Sequence, residues 1–253
     1  MGGPAATRWA ELQEGRGIPP DILARARADP WRHEVTFFTP PAEPLDTPSR
    51  RAAQALLPDG GSVLDVGCGG GAASFALVDR TGHLTGVDQQ QDMLDAFAAE
   101  ARARGIPHRT VLGRWPAAAS AAGTVDVVVC HHVLHNVVDL VPFLEALTAA
   151  ARRGVVVEMM AEHPMAWLDP LWVRFHDLHR PRPATTDDAV AVLREIGVEP
   201  VVRHWERVVP PRQDPAWVTR RLCLPEDTVP EVADALERLR RPRLAATLSW
   251  SAG

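Results

Sequence analysis

The chain has 253 residues, 46% of them hydrophobic, and a formal net charge of −5 at pH 7. That length can bury a large core as one α/β unit, and the acidic balance lacks the concentrated positive field that a nucleic-acid backbone demands. Nucleic acid is therefore not expected as a partner. The sequence contains neither lysine nor tyrosine, which excludes Schiff-base chemistry on lysine and proton transfer by tyrosine. No apolar run approaches the roughly 18 residues of a membrane span, and residues 1–6 lack the regions of a secretory signal. Cys68, Cys130 and Cys223 are too scattered for a disulfide framework. A cytoplasmic location is the natural expectation.

In chain order, residues 1–46 read as a cover segment and 47–253 as a single globular domain. In the cover, Leu12, Ile22 and Leu23 are separated by Gly and Pro, and Trp31, Phe37 and Phe38 precede a Pro-rich stretch. One or two short helices and an extended strap are expected there. Thr47-Pro48 opens a helix through Leu57, closed by Pro58-Asp59-Gly60-Gly61. Strands are then expected at 62–67, 83–88, 108–112, 125–130 and 154–159, with helices between them, one beginning at 72–77. The clearest helix is 90–104, where Met93, Leu94, Phe97 and Ala101 share a face. Short apolar strands alternating with helices imply a parallel sheet covered on both faces. Beyond residue 160 the expected elements are a Pro-bounded inserted helix within 164–183 and a helix from Thr185-x-x-Asp188 to Gly197. A strand at 198–209, an amphipathic helix at 229–240 and a closing strand at 243–250 complete the chain.

The run Val63-Leu64-Asp65-Val66-Gly67-Cys68-Gly69-Gly70-Gly71 takes an apolar strand into an acid and a glycine-dense turn, and a second strand delivers Asp88. Such turns let backbone approach a nucleotide-like ligand closely, and a carboxylate at the next strand end can accept hydrogen bonds from ribose hydroxyls. Here the chain resembles the class I S-adenosylmethionine-dependent methyltransferases, whose first motif is an acid two residues before G-x-G-x-G. The resemblance implies a Rossmann-like α/β fold: a mostly parallel seven-stranded sheet with helices on both faces and its last strand antiparallel, here under an N-terminal helical cover. It implies S-adenosyl-L-methionine as cofactor, S-adenosyl-L-homocysteine as product, and methyl transfer to an oxygen or nitrogen of a small-molecule acceptor. Gly67-x-Gly69-x-x-Ala72 also satisfies the dinucleotide fingerprint, so an NAD(P)-dependent oxidoreductase stands as the alternative, together with a cofactor-binding protein without turnover.

The candidate cofactor residues are Asp65, Gly67, Cys68, Gly69, Gly71, Asp88, Gln89, Arg114, Trp115 and His131. Arg114 takes the place where the family commonly has an acid near adenine, and Trp115 offers either an adenine stack or an ordinary lid over the sheet edge. The fourth strand closes on Cys130-His131-His132, followed by His135. His131, His132 and, further on, His176 are the candidate bases, with pKa values suited to neutral pH. Adjacent strand residues point to opposite faces and no matching ligand set stands elsewhere, so no metal is expected. His135 reads as a core histidine. Glu158, closing the fifth strand, reads as a substrate contact or an arginine partner. The group His163, Trp167, Trp172, Phe175, His176 and His179 suits packing better than a pocket wall. Arg50 and Arg51 present either a cofactor-carboxylate contact or a solvated helix face, and Arg220-Arg221 and Arg238–Arg243 read as solvated faces.

Overall fold

The computed structural model describes residues 2–26, 29–30, 35–207, 214–239 and 243–252, apart from the side chains of Thr36 and Phe37. Trp31, Phe37's side chain, Val208, Val209 and Arg240 therefore lie outside the described residues.

The chain opens with helices α1 (Pro4–Glu14) and α2 (Pro20–Leu23), a 3-10 turn at Val35–Phe38, and α3 (Pro48–Leu56). Strands and helices then alternate: β1 (Gly61–Val66), β2 (Thr81–Asp88), α4 (Gln91–Ala103), β3 (His108–Leu112), α5 (Ala119–Ala122), β4 (Val125–His131), α6 (Leu140–Ala150) and β5 (Ala151–Met160). The last third holds α7 (Asp169–His176), α8 (Thr186–Glu195), β6 (Val201–Glu206), α9 (Pro215–Arg221), α10 (Val229–Leu236) and β7 (Leu244–Ser251). One seven-stranded sheet runs β3-β2-β1-β4-β5-β7-β6. β1 to β5 pair in parallel, and β7 is antiparallel to both of its neighbours. The expected fold class is borne out.

Local chemistry explains most element ends. Thr47 caps α3 by accepting from the Arg50 N–H (3.1 Å), with Pro48 pre-set at the first helical position. Thr185 and Asp188 form the full capping box at the start of α8. On α4 the stripe Met93, Leu94, Phe97 and Ala101 is buried, as its spacing predicts. Val127, Val128 and Val129 of β4 are each at most 1% exposed. They divide between the two apolar layers of the sheet: Val128 joins Leu64, Leu144 and Leu147 on one side, Val127 and Val129 join Phe75, Leu94 and Phe97 on the other. Each such side chain contributes roughly 1.5–3 kcal/mol by burial.

Three expectations need correction. Residues 72–77 do not begin an α-helix. They form turns followed by a 3-10 helix, Phe75–Arg80, because Ser74 is held down on Asp65 and the Phe75 ring packs against Phe97 at 5.1 Å. The inserted segment is shorter than 164–183: a 3-10 turn at Ala166–Leu168 leads into α7, which stops at Asp177 in the left-handed region. Helix α9 was not foreseen, although Asp214 caps it from the Ala216 N–H and Pro215 occupies its first turn. With Ile18, Ile22, Trp167, Leu171, Trp172, Leu222 and Val232 it builds a third apolar cluster beside the sheet.

The tightest test of the glycine turn is Gly71, at φ +91°, where an added Cβ would sit 2.3 Å from the Phe75 ring and 3.0 Å from Phe97. Left-handed backbone and overpacking together cost roughly 2–4 kcal/mol. Gly71→Ala should lower the urea midpoint accordingly, whereas Gly105→Ala, at φ +66° with open space around it, should cost only about 1–2 kcal/mol.

Candidate functional site

Parallel strands deliver their carboxyl ends to one edge, and the strand order reverses between β1 and β4, where ligands bind in open α/β sheets. The glycine turn leaves β1 at that point. Gly67, Gly69 and Gly71 all take positive φ (69°, 52° and 91°), a geometry that side chains resist. Two carboxylates fix the turn. Asp65, 1% exposed, accepts from the Ser74 hydroxyl (2.8 Å) and N–H (3.3 Å). Burial pushes its carboxyl up to about 7 against those hydrogen bonds. Asp88 accepts from the Gly69 N–H and the Gln90 N–H, both at 3.0 Å. The Gly67 and Cys68 amides turn back to the Val87 carbonyl (2.8 and 3.0 Å), and the Cys68 thiol is pushed up by burial. Phe38 lies across the turn, its carbonyl accepting from the Gly70 N–H at 3.1 Å.

At the ends of β4 and β5, His131, His132 and Glu158 form a second cluster. Glu158 is 5% exposed. Its backbone carbonyl accepts from the His132 N–H (2.7 Å), and its carboxylate lies 3.0 Å from His132 Nε2 and 3.9 Å from His131 Nδ1. Burial pulls this carboxyl upward, but His131 and hydrogen bonds from His132 and Ser49 outweigh it and hold it at about 2. An ionised carboxylate only accepts, so the His132 Nε2 carries the proton. The His132 Nδ1, buried without a hydrogen-bond partner among the described residues, then keeps a lone pair. His132 also sits at φ +61°, a strained state for a residue with a side chain. Glu158 therefore pairs with histidines and not with an arginine, one of the two readings its sequence position offered. Burial pushes His131 down to about 4, opposed by Glu158.

A cavity of about 140 Å³ joins the two clusters, touching Asp65, Gly67, Cys68, His131, His132 and Glu158. Arg50 reaches it and donates to the Ala76 carbonyl (2.9 Å), while Arg51 turns outward to Asp46. Other candidates lie elsewhere. Gln89 and Arg114 are exposed. Trp115 donates its indole N–H to the Phe143 carbonyl (3.2 Å) and packs on the core, which favours the lid. His176 stands 2.7 Å from the Leu222 carbonyl in the third apolar cluster, tied there instead of at the cavity, so it does not join the other histidines. His135 is a core histidine, with Nε2 at 3.1 Å from the Met160 carbonyl.

Arg16 and Arg221 were not anticipated as site residues. Arg221, read from sequence as solvated, is 7% exposed and donates to the Pro30 carbonyl (2.7 Å). Arg16 is equally buried and holds Asp169 through one nitrogen (2.8 and 2.9 Å).

The sheet order is that of the class I methyltransferase fold, and residues within it match a methyltransferase family model, in line with the resemblance seen in the sequence. The particular family model that matches is described as "Methyltransferase domain" and covers residues 63–154, from β1 into β5. The ubiquinone biosynthesis O-methyltransferase of Aeromonas salmonicida is 30% identical over 112 residues, 43% of this chain and 47% of that protein. The chain thus spans about half the length of that curated relative. The YcgJ protein of Bacillus subtilis shares the fold at TM-score 0.56 and 16% identity, over 80% of this chain and 97% of that one. The magnesium protoporphyrin IX methyltransferase of Synechocystis PCC 6803, solved with bound SAH, does so at TM-score 0.51 and 16% identity, over 79% and 76%. Among the described residues no helix is long and apolar enough to cross a membrane.

The buried histidines set an acid limit on the fold. His131 and His135 are lowered by burial to about 4 and His163 to about 3, so below pH 6.5 the unfolded chain binds protons that the folded chain refuses. Asp65 acts in the opposite sense, but three groups outweigh one. Stability should fall between pH 6.5 and 4, by about 1–2 kcal/mol per histidine at pH 5. Urea titrations at pH 7 and 5 check this, and His163→Gln should flatten the difference.

Proposed function

We propose that the chain is an S-adenosylmethionine-dependent methyltransferase that methylates an oxygen or nitrogen of a small-molecule acceptor and releases S-adenosylhomocysteine. The observation that carries this reading is the glycine turn at the β1/β4 reversal, with Asp88 bonded onto it and the His131–His132–Glu158 cluster at the next two strand ends.

The residues present suit the cofactor. Two of the roughly four acceptor sites of the Asp88 carboxylate are taken by backbone N–H groups, which leaves two for a pair of ribose hydroxyls. A side chain at Gly67 would run into Val133 at 2.4 Å, so the turn keeps backbone at its surface. Gly67, Cys68, Gly69 and Gly71 would hold the amino-acid part, and Asp65 orients the turn through Ser74. When bound, the sulfonium group supplies an activated methyl for in-line displacement.

The chain's own residues then position the acceptor and take its proton. Alignment of acceptor and methyl supplies much of the acceleration in such transfers. His132 is the base this reading selects: Glu158 fixes its tautomer, and Nδ1 carries the lone pair that would receive a hydroxyl proton. His131, held neutral by burial, lines the same space.

Titration calorimetry with S-adenosylmethionine, S-adenosylhomocysteine and NADH tests the reading. Binding of both sulfur nucleotides, lost in Asp88→Ala and absent for NADH, is the expected result. Binding of NADH alone would sink the methyltransferase reading in favour of hydride transfer.

A further inference from the structure

A second cavity, of about 150 Å³, opens beyond the ends of β4 and β5, lined among others by Arg16, Arg180, Arg221, His135, His163 and Trp172. That volume is roughly ten times what one ordered water needs. Five parts of the chain meet there: the end of α1, the turn after β4, the turn after β5, α7 with its following strap, and α9. His135 stands three residues beyond His132, and its carbonyl partner Met160 two beyond Glu158. The cavity thus adjoins the strand ends that carry the proposed base.

Its charge is unbalanced. No carboxylate lines it among the described residues. Asp169 bonds both Arg16 and Arg180 from behind, and exposed Asp29 acts on Arg221 from the solvent side. Among the described residues, Arg16 and Arg180 share the single carboxylate of Asp169. The Arg16 and Arg180 side chains are only 5% and 7% exposed, and buried charge is expensive unless matched. Burial accordingly pushes both Arg180 and Arg221 down from the usual arginine value.

The polar atoms left over describe a ligand. Arg180 uses its terminal nitrogens on Asp169 and the Arg16 carbonyl, but its Nε is buried and unbonded among the described residues. His163 Nδ1 accepts from the Met165 N–H (3.1 Å), so the neutral ring carries its proton on Nε2 as a donor. His135, 3% exposed, places Nε2 by the Met160 carbonyl and so donates there. Its Nδ1, buried and unbonded, is left as an acceptor. Trp172, Met165 and Leu168 supply apolar wall. Donors and positive charge, the His135 Nδ1 as an acceptor and an apolar wall together suit a small carboxylic acid with a hydroxyl or amine.

We infer that this cavity is the anion subsite of the methyl acceptor, and that the acceptor is a small, partly apolar carboxylic acid held by Arg180 and Arg221. This rests on the methyltransferase reading above. The carboxylate would form charge-assisted hydrogen bonds with these guanidiniums, and an N–H or O–H of the acid other than the one methylated would face His135.

Benzoate and its neutral isostere benzamide are the probes, titrated by calorimetry into the full chain saturated with S-adenosylhomocysteine. Wild type should prefer benzoate by about tenfold or more, the effect of one charge-assisted contact. Arg180→Gln should reduce that preference to within about threefold, and Arg180→Lys should keep part of it. Asp88→Ala, which loosens the glycine turn but touches no residue lining this cavity, should still bind benzoate when titrated without the nucleotide. If wild type binds S-adenosylhomocysteine but treats benzoate and benzamide alike, the subsite falls and the methyltransferase reading stands. If benzoate binds while neither sulfur nucleotide does, the functional reading falls, and the assignment of the acid as methyl acceptor falls with it.

Discussion

A parallel sheet gives every strand the same direction, and that constraint assembles the site. β1, β2, β4 and β5 end on Val66, Asp88, His131 and Met160, so the polar residues near those ends share one edge without any long-range search. Backbone leaving such an edge has lost its ladder partners and must find others. Here carboxylates supply part of them: Asp65 receives the Ser74 N–H and Asp88 those of Gly69 and Gln90, while the His132 N–H goes to the Glu158 carbonyl. The same bonds that satisfy the turn also aim it.

Asp65 and Glu158 answer burial differently, and the difference sorts their roles. Asp65 meets one serine and no cation, so burial wins and raises its carboxyl to about 7. Glu158 is almost as buried, yet two histidines and Ser49 surround it and the balance reverses. A carboxylate kept ionised beside an imidazole fixes the ring's tautomer, whereas the carboxyl raised by burial is held under the glycine turn by Ser74, at a cost to stability near neutral pH. Position on the strand does not separate the two; the neighbours do.

The sheet and its turn were legible because both are local. Valine runs, Gly-x-Gly spacing and the acids near the ends of β1, β2 and β5 are properties of consecutive residues, and the Thr185–Asp188 box needs only four. Misreadings arose where tertiary contact decided. Ala72–Leu77 has helical composition, but Ser74 bonding to Asp65 and Phe75 packing on Phe97 tighten it into a 3-10 helix. His176 resembles a site histidine until the Leu222 carbonyl of a distant segment meets it. Arg221 follows another arginine on a short helix, the pattern of a solvated face, and is buried only because α9 folds under the segment that ends at Pro30.

The cover segments explain why the arginines near the second cavity escape a sequence reading altogether. Trp9 is fully buried and donates to the Val137 carbonyl at 2.7 Å, which pins α1 beside the turn after β4. That anchor carries Gln13 and Arg16 to the carboxyl edge of the sheet, where Asp169 at the start of α7 meets Arg16 from the other side. Trp9, Gln13, Arg16 and Asp169 all lie outside the motif-bearing stretch 63–154. The matched domain thus supplies the glycine turn and the histidines, while the walls of the cavity beyond them come mostly from segments outside it. A division of that kind is expected when one scaffold serves many chemistries, since function resides in the site grafted onto the fold. Under the proposed function, acceptor identity is therefore a question about Arg16, Arg180 and Arg221 more than about the sheet.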